Sequence, residues 1–258
     1  MRDLYSDKEV GYITVATVDG AQQRFNFNEP LALDDGRVIF AGHLKVGDIF
    51  LSRDQAAFSP VAQIIDTYAE PEVALCSLGA IACDRIAEDD DEAYQEAMYL
   101  TLKMIDYCIE NTHYVLPHIG ITAKARMNAG VGLMGVASRM ARKNLRYDTR
   151  EGREELHRIA ERHMYHAIRA SLRISKERGK PRWIHKTRWP EGWLPIDTYN
   201  RNVDELGDFK CRYDWEALRA EIIENGGIGH SCLVAYMPGE SSSKALGLPN
   251  SIYPVRST

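Results

Sequence analysis

The chain has 258 residues, 45% apolar and 27% charged, with a formal charge of −5 at neutral pH. That composition excludes global disorder, and a mildly acidic chain does not advertise bulk nucleic-acid binding. No apolar run approaches the roughly 18 residues that a membrane span needs, and no signal-peptide core opens the chain, so a cytoplasmic setting is expected.

In chain order, the first elements read as short strands. Residues 12–18 are rich in β-branched side chains and end at Asp19-Gly20, a hairpin signal. Residues 24–27 alternate, and Asp35-Gly36 turns the chain into 37–41. Segments 46–51, 61–67 and 73–78 complete the series, which predicts a small all-β module over residues 1–70. From residue 89 the period becomes helical. Asp89-Asp90-Asp91 offers N-caps and negative charge at a helix start, and Ala93, Ala97, Leu100, Met104 and Tyr107 then recur at helical spacing. A second helix is predicted over 150–178, with Leu156, Ile159, His163, Ala167, Ala170 and Ile174 as its stripe. Gly179 and Pro181 stop it. A third runs over 215–225, capped by Asp214 and ended by Gly226.

The five cysteines are Cys76, Cys83, Cys108, Cys211 and Cys232. Their odd number and wide spacing argue against a disulfide scaffold, and the lack of a CxxC pair argues against structural zinc. Gly130, Gly132 and Gly135 are spaced as in a dinucleotide-binding loop. Such a loop should follow a strand and open a βαβ unit, which is not evident here, so close backbone packing at a strand-to-helix junction is the better reading. His163 and His166 share one helix face but lack further ligands, so a packed pair is favoured over a metal site. The apolar run 232–236 reads as a buried strand. Met237-Pro238-Gly239-Glu240-Ser241-Ser242-Ser243 follows it, and hydroxyls and backbone N–H groups at a strand end can cradle an anion.

Several motifs, in register over about residues 70–258, resemble the large catalytic subunit of class I ribonucleotide reductases. They are Ala74-Leu75-Cys76-Ser77-Leu78, Ala129-Gly130-Val131-Gly132 after basic residues, Leu194-Pro195-Ile196-Asp197-Thr198-Tyr199, and Asp214-Trp215-Glu216-Ala217-Leu218-Arg219. The last is Ala235-Tyr236-Met237-Pro238-Gly239-Glu240-Ser241-Ser242-Ser243. The resemblance implies an α/β fold: part of a ten-stranded α/β barrel preceded by a small all-β module. It implies reduction of ribonucleoside diphosphates by radical chemistry, with a cysteine pair supplying two electrons and becoming a disulfide. Cys76 matches one member of that pair. Glu240, Ser241 and Ser242 match the loop that holds the substrate's phosphates, and Pro238 shapes it. The other four cysteines match no catalytic position.

The family's radical cysteine lies in an N-x-C-x-E pattern upstream of the Cys76 segment, and residues 1–75 contain none. The expectation is therefore a fragment of a split large subunit, as in a bacteriophage, active when complemented by the chain bearing that cysteine. The implied partners are the other large-subunit fragment, a small radical-generating subunit containing metal, and a nucleoside diphosphate, with no membrane or direct nucleic-acid contact. No cofactor is expected in this chain, and effector nucleotides would bind elsewhere. Two segments depart from the family: Gly229-His230-Ser231 replaces an R-N-S sequence, and 250–256 replaces N-G-I-E-P-P-R. Residues 35–48 resemble a Hint-domain stretch without splicing nucleophiles, so a non-splicing β-rich insertion before the Cys76 strand is favoured over an active intein fragment. The alternative function is a non-catalytic, reductase-like regulatory protein.

Overall fold

The computed structural model describes residues 11–27, 29–52, 57–69, 72–75 and 77–255. They form two compact units, Met1–Leu75 with Asn111–Ala125, and Cys76–Glu110 with Arg126–Thr258.

The first unit is built on β1 (Gly11–Thr17), β2 (Gln22–Asn26), β5 (Ile49–Leu51) and β6 (Phe58–Ala69), which form an antiparallel sheet in the order β2-β1-β6-β5. β3 (Pro30–Ala32) and β4 (Val38–Phe40) pair separately. The Asp19-Gly20 turn closes the first hairpin, with Ala16 opposite Gln22 and Gly20 at φ +85°. Along β1 every second residue is buried, as a one-sided sheet requires. Its inward Ile13 and Val15 join Phe25, Phe27, Phe50 and Val61 in the core, where the Phe25 and Phe50 rings meet edge to face at 5.4 Å. Helix α2 (Pro117–Arg126) lies mostly in this unit, where Thr122 Oγ1 accepts the Val73 N–H at 3.3 Å.

The second unit starts from β7 (Ser77–Ala82) and β8 (Ala129–Met134), which pair in parallel from Ser77 opposite Ala129 to Ala82 opposite Met134. The strand expected over 73–78 is therefore displaced. Residues 72–75 carry no regular structure, and the strand takes the small-residue stretch that follows. Packing selects it: a Cβ on Gly79 would lie 2.7 Å from Thr101 Cγ2, so glycine lets α1 (Asp91–Asn111) sit close on the strand. β7, α1 and β8 make the parallel unit that the sequence did not disclose. Gly130 and Gly132 lie within β8, and Gly135, at φ +85°, caps α3 (Val136–Arg142), so the three glycines mark a strand-to-helix junction.

α1 begins where Asp90 Oδ1 accepts the Ala93 N–H at 2.9 Å. Its buried face is not the expected one. Tyr94, Met98, Leu102, Ile105 and Ile109 point into the core, whereas Leu100, Met104 and Tyr107 are exposed. Both sets recur at helical spacing, so periodicity alone could not choose between them.

α4 (Arg150–Arg178) matches its predicted span. Thr149 caps its start by accepting from Gly152 N, and Gly179 at φ +87° ends it. Its stripe is buried except Leu156, which is half-buried. α5 (Trp215–Asn225) also forms as predicted, with Asp214 Oδ1 accepting from Ala217 N at 2.8 Å and Gly226 at φ +69°.

Candidate functional site

The expected phosphate-loop residues follow a segment that runs beside β8. On the edge away from β7, residues 232–236 run beside it in parallel: Ala129 N donates to Cys232 O at 3.0 Å and Val131 N to Leu233 O at 2.8 Å. Only Val131 and Val234 form a bridge, and of these residues only Leu233 is fully buried, so the expected buried strand is a half-buried extended segment. Gly132 makes this approach possible, since a Cβ there would lie 2.7 Å from Ala235 O and from Met237 Sδ.

The segment then enters α6 (Glu240–Leu246), so the expected hydroxyl loop is the first turn of a short helix. Pro238, Glu240, Ser241 and Ser242 are exposed there. Ser243 is buried, and its Oγ donates to Glu240 O at 2.9 Å. The first amides of a helix have no acceptor within it, so this turn presents N–H groups beside two exposed hydroxyls. Two residues that hold the turn were missed by sequence reasoning. Asn250 Oδ1 accepts the Gly239 N–H at 2.5 Å, and the buried Ser251, at φ +57°, donates to Tyr236 O at 3.4 Å. Their only signal was position, in a segment that departs from the family pattern. Pro238, Glu240, Asn250 and Tyr253 help line a cleft of about 490 Å³.

Cys76 lies outside the described residues. Its neighbour Ser77 is opposite Ala129 at the start of β8. Gly239 reaches the far end, where a Cβ would lie 3.1 Å from Met134 Sδ. The strand spans roughly 17 Å at its usual rise. Cys83, which follows β7, is buried, and burial pushes its thiol up to about 12.

Two buried polar clusters tie α4 to this framework. His163 Nε2 donates to Val131 O at 2.9 Å, so its Nδ1 accepts from the Tyr94 hydroxyl at 2.8 Å. Complete burial pulls His163 down to about 4, so the ring is neutral at physiological pH. Burial likewise pulls His166 down to about 4, although Asp91 opposes the shift. Neither ring joins a metal cluster, and no group of three or more candidate ligands occurs among the described residues.

The second cluster is a closed ring. Ser171 Oγ donates to His230 Nδ1 at 2.8 Å, and His230 Nε2 donates to Asp106 Oδ1 at 2.9 Å. Arg178 Nε donates to Asp106 Oδ2 at 2.8 Å and its Nη2 to Gly229 O at 2.8 Å. Gly229 N returns to Ser171 Oγ at 3.0 Å. Burial opposes ionisation of Asp106, but His230 and Arg178 hold its carboxyl below the usual range. The serine, histidine and aspartate have the connectivity of a nucleophilic triad. Ser171 and His230 are nevertheless wholly buried, so the arrangement braces the chain and does not face a substrate.

A parallel strand pair crossed by a helix, with a hydroxyl-bearing helix start beside its third member, makes the second unit an α/β fold. The chain belongs to the ribonucleotide reductase family: the family described as "Ribonucleotide reductase, barrel domain" matches residues 49–258. It is 34% identical over 187 residues to the ribonucleoside-diphosphate reductase subunit alpha of Enterobacteria phage T4, covering 72% of this chain and 24% of that protein. The alpha subunit of Haemophilus influenzae is 32% identical over 185 residues, again 72% of this chain and 24% of the relative. That of Helicobacter pylori is 26% identical over 247 residues, 95% of this chain and 30% of the relative. The chain thus spans about a quarter of the length of the first of these curated relatives. No helix among the described residues is long and apolar enough to cross a membrane.

Proposed function

We propose that these residues supply Cys76 and the 238–242 turn to the reduction of ribonucleoside diphosphates to their 2′-deoxy forms, in an enzyme whose radical cysteine is not among them. In the overall reaction the C2′–O bond breaks and a C2′–H bond forms: two thiols become a disulfide, one of their protons leaves with the hydroxyl as water, and the other proton with the two electrons makes the new C2′–H bond. Cys76 is one of those thiols. Its thiolate form attacks sulfur, so its access to the partner thiol governs the step. The Ser241 and Ser242 hydroxyls, with the amides of the first turn of α6, hold the diphosphate, and Pro238 fixes the approach of the chain to that turn. A small subunit containing metal supplies the radical, and effector nucleotides bind outside this chain. Residues 9–70 are read as a β-rich insertion before the Cys76 strand, with the family match itself beginning at residue 49.

One observation carries the reading. β7, which Cys76 immediately precedes, and the segment leading into the 238–242 turn flank the same strand, β8. A substrate anchored at one end of β8 and reduced toward the other must be extended, as a nucleoside diphosphate is. The test is reconstitution with the polypeptide that bears the N-x-C-x-E segment and with the small subunit. The expected result is dithiol-dependent formation of deoxynucleoside diphosphate. An assembled complex that yields none, or a chain that lowers the activity of an intact reductase, would overturn the proposal.

A further inference from the structure

The second unit holds nine tyrosines and one phenylalanine. The two rings fill a core about equally well, and a buried phenolic hydroxyl costs desolvation unless it is bonded, so packing alone does not account for that preference. Four of these tyrosines join in one line of neighbouring rings. The Tyr236 ring lies 6.1 Å from that of His163, and His163 lies 6.2 Å from Tyr94. Tyr94 lies 5.5 Å from His166, and His166 lies 5.5 Å from Tyr213. Tyr213 stacks on Tyr165 at 4.2 Å, and Trp215 meets Tyr165 edge to face at 5.5 Å. The middle of the line, Tyr94, His163 and His166, is buried. Its ends are half-buried: Tyr236 at one, two residues before Pro238, and Tyr213 and Trp215 at the other.

A phenol gives up an electron readily only when its proton has somewhere to go. The Tyr94 hydroxyl donates to His163 Nδ1 at 2.8 Å. The Tyr213 hydroxyl donates to the Asp91 carboxylate, 3.0 Å from each oxygen. Both therefore hold a base within hydrogen-bond reach. An oxidised phenol is a strong acid, so even a weakly basic imidazole takes its proton. The Tyr165 hydroxyl instead accepts from Arg169 Nη1 at 3.4 Å, and guanidinium cannot take a proton. Ring contact and proton acceptors thus coincide at Tyr94 and Tyr213.

We infer that the line from Tyr236 through Tyr94 to Tyr213, bridged by the His163 and His166 rings, is a relay that drains an oxidising equivalent from the substrate turn to the protein surface. The inference rests on the functional reading above for its oxidant, a thiyl radical left in the site when a turnover fails. That radical takes one electron and one proton from the Tyr236 hydroxyl and becomes a thiol. Tyr236 then takes an electron from Tyr94 and a proton from solvent, while the Tyr94 proton moves to His163 Nδ1. Tyr94 in turn takes an electron from Tyr213 and recovers its proton from His163, and the Tyr213 proton moves to Asp91. A dissolved thiol reduces Tyr213, Asp91 returns the proton, and the thiol's own proton goes to solvent. The net change is one thiyl radical reduced inside and one thiol oxidised outside.

The test uses the full chain carrying Cys76→Ser, Cys108→Ser and Cys211→Ser. The exposed Cys232, in the same segment as Tyr236, then takes a ruthenium polypyridyl label, while Cys83 is buried. Flash oxidation of the label with a persulfate quencher and a nitroso spin trap creates the oxidant beside Tyr236, and mass spectrometry locates the adducts. Adducts on Tyr213 and Trp215 are expected. With Tyr94→Phe these distal adducts are lost and Tyr236 carries them instead. Tyr94 is buried, so a second variant, Tyr213→Phe, interrupts the line at its half-buried end, and loss of the Trp215 adducts is expected there. A labelled chain without distal adducts overturns the inference, as do distal adducts that persist in either folded variant. The measurement needs no nucleotide and no small subunit, so failure of the relay and failure of the functional reading are read separately.

Discussion

His230 Nε2 and Asp106 Oδ1 stand 2.9 Å apart although 124 residues separate them in the chain. The bond ties the turn at 229–231 to α1, and through Arg178 and Ser171 it ties both to α4. Four side chains and Gly229 satisfy one another around the fully buried Ser171 and His230, which makes the ring intolerant of partial change. Replacing His230 by Ala leaves the Asp106 carboxylate buried with one partner lost. A loss of about 3 kcal/mol in unfolding free energy is expected, read from urea denaturation. His230→Asn restores a donor at this position, and a smaller loss than for the alanine variant is expected.

Part of the pH dependence of stability follows from His163, with His166 acting in the same direction. In the unfolded chain His163 titrates near 6.5, whereas burial holds it down to about 4 in the fold. Between those values the unfolded state binds more protons, so stability rises with pH through that window. The contribution is complete above the unfolded value and is lost as pH falls toward about 4, amounting to roughly 3 kcal/mol for a fully buried ring. Denaturation midpoints from pH 4 to 7 check this. Substitution of His163 by Gln, whatever its effect at neutral pH, should flatten the slope.

Cys76→Ser should abolish multiple turnover in the reconstituted assembly while leaving complex formation intact, because serine keeps the size but cannot enter a disulfide. Undiminished steady-state reduction by the serine variant would exclude the redox role.

Ser241→Ala together with Ser242→Ala should act mainly on substrate affinity, by about 1–3 kcal/mol for hydrogen bonds lost to a charged group. Both side chains are exposed at the start of α6, so Tm should move little. Equilibrium binding of a nucleoside diphosphate to the assembly measures it, and unaltered affinity would refute the phosphate cradle.

Gly132→Ala tests the close approach beside β8. The added methyl would meet the Ala235 carbonyl and the Met237 sulfur at 2.7 Å. The sulfur can move, but the backbone oxygen can do so only by shifting the segment that leads to the site. A loss of about 1–3 kcal/mol is expected, with weaker nucleotide binding.

Where local signals and tertiary packing agreed, the sequence was legible. α4 and α5 carry their own punctuation in Asp214, Gly179 and Gly226, and they form over the predicted spans. The Asp19-Gly20 hairpin is equally local. α1 was legible as a helix but not in orientation, because Tyr94, Met98 and Leu102 compete with Ala93, Leu100 and Met104 at the same period. β7 escaped because its small residues have weak strand preference and are chosen by the fit of α1 over Gly79. The motif from Pro238 to Ser242 could be found in the sequence. Asn250 and Ser251, which fix the turn from behind, could not, since their role exists only after the chain has folded back on it. The ring around His230 was hidden for the same reason: its members come from three distant segments.

The contrast among the thiols turns Cys83 into a built-in clock. Cys108, Cys211 and Cys232 are exposed, whereas Cys83, just after β7, is buried and held protonated at neutral pH. An alkylating reagent marks the exposed thiols at once and waits for Cys83 until the β7 and β8 pair opens. The delay, followed by mass spectrometry, times the breathing of the β7 and β8 pair.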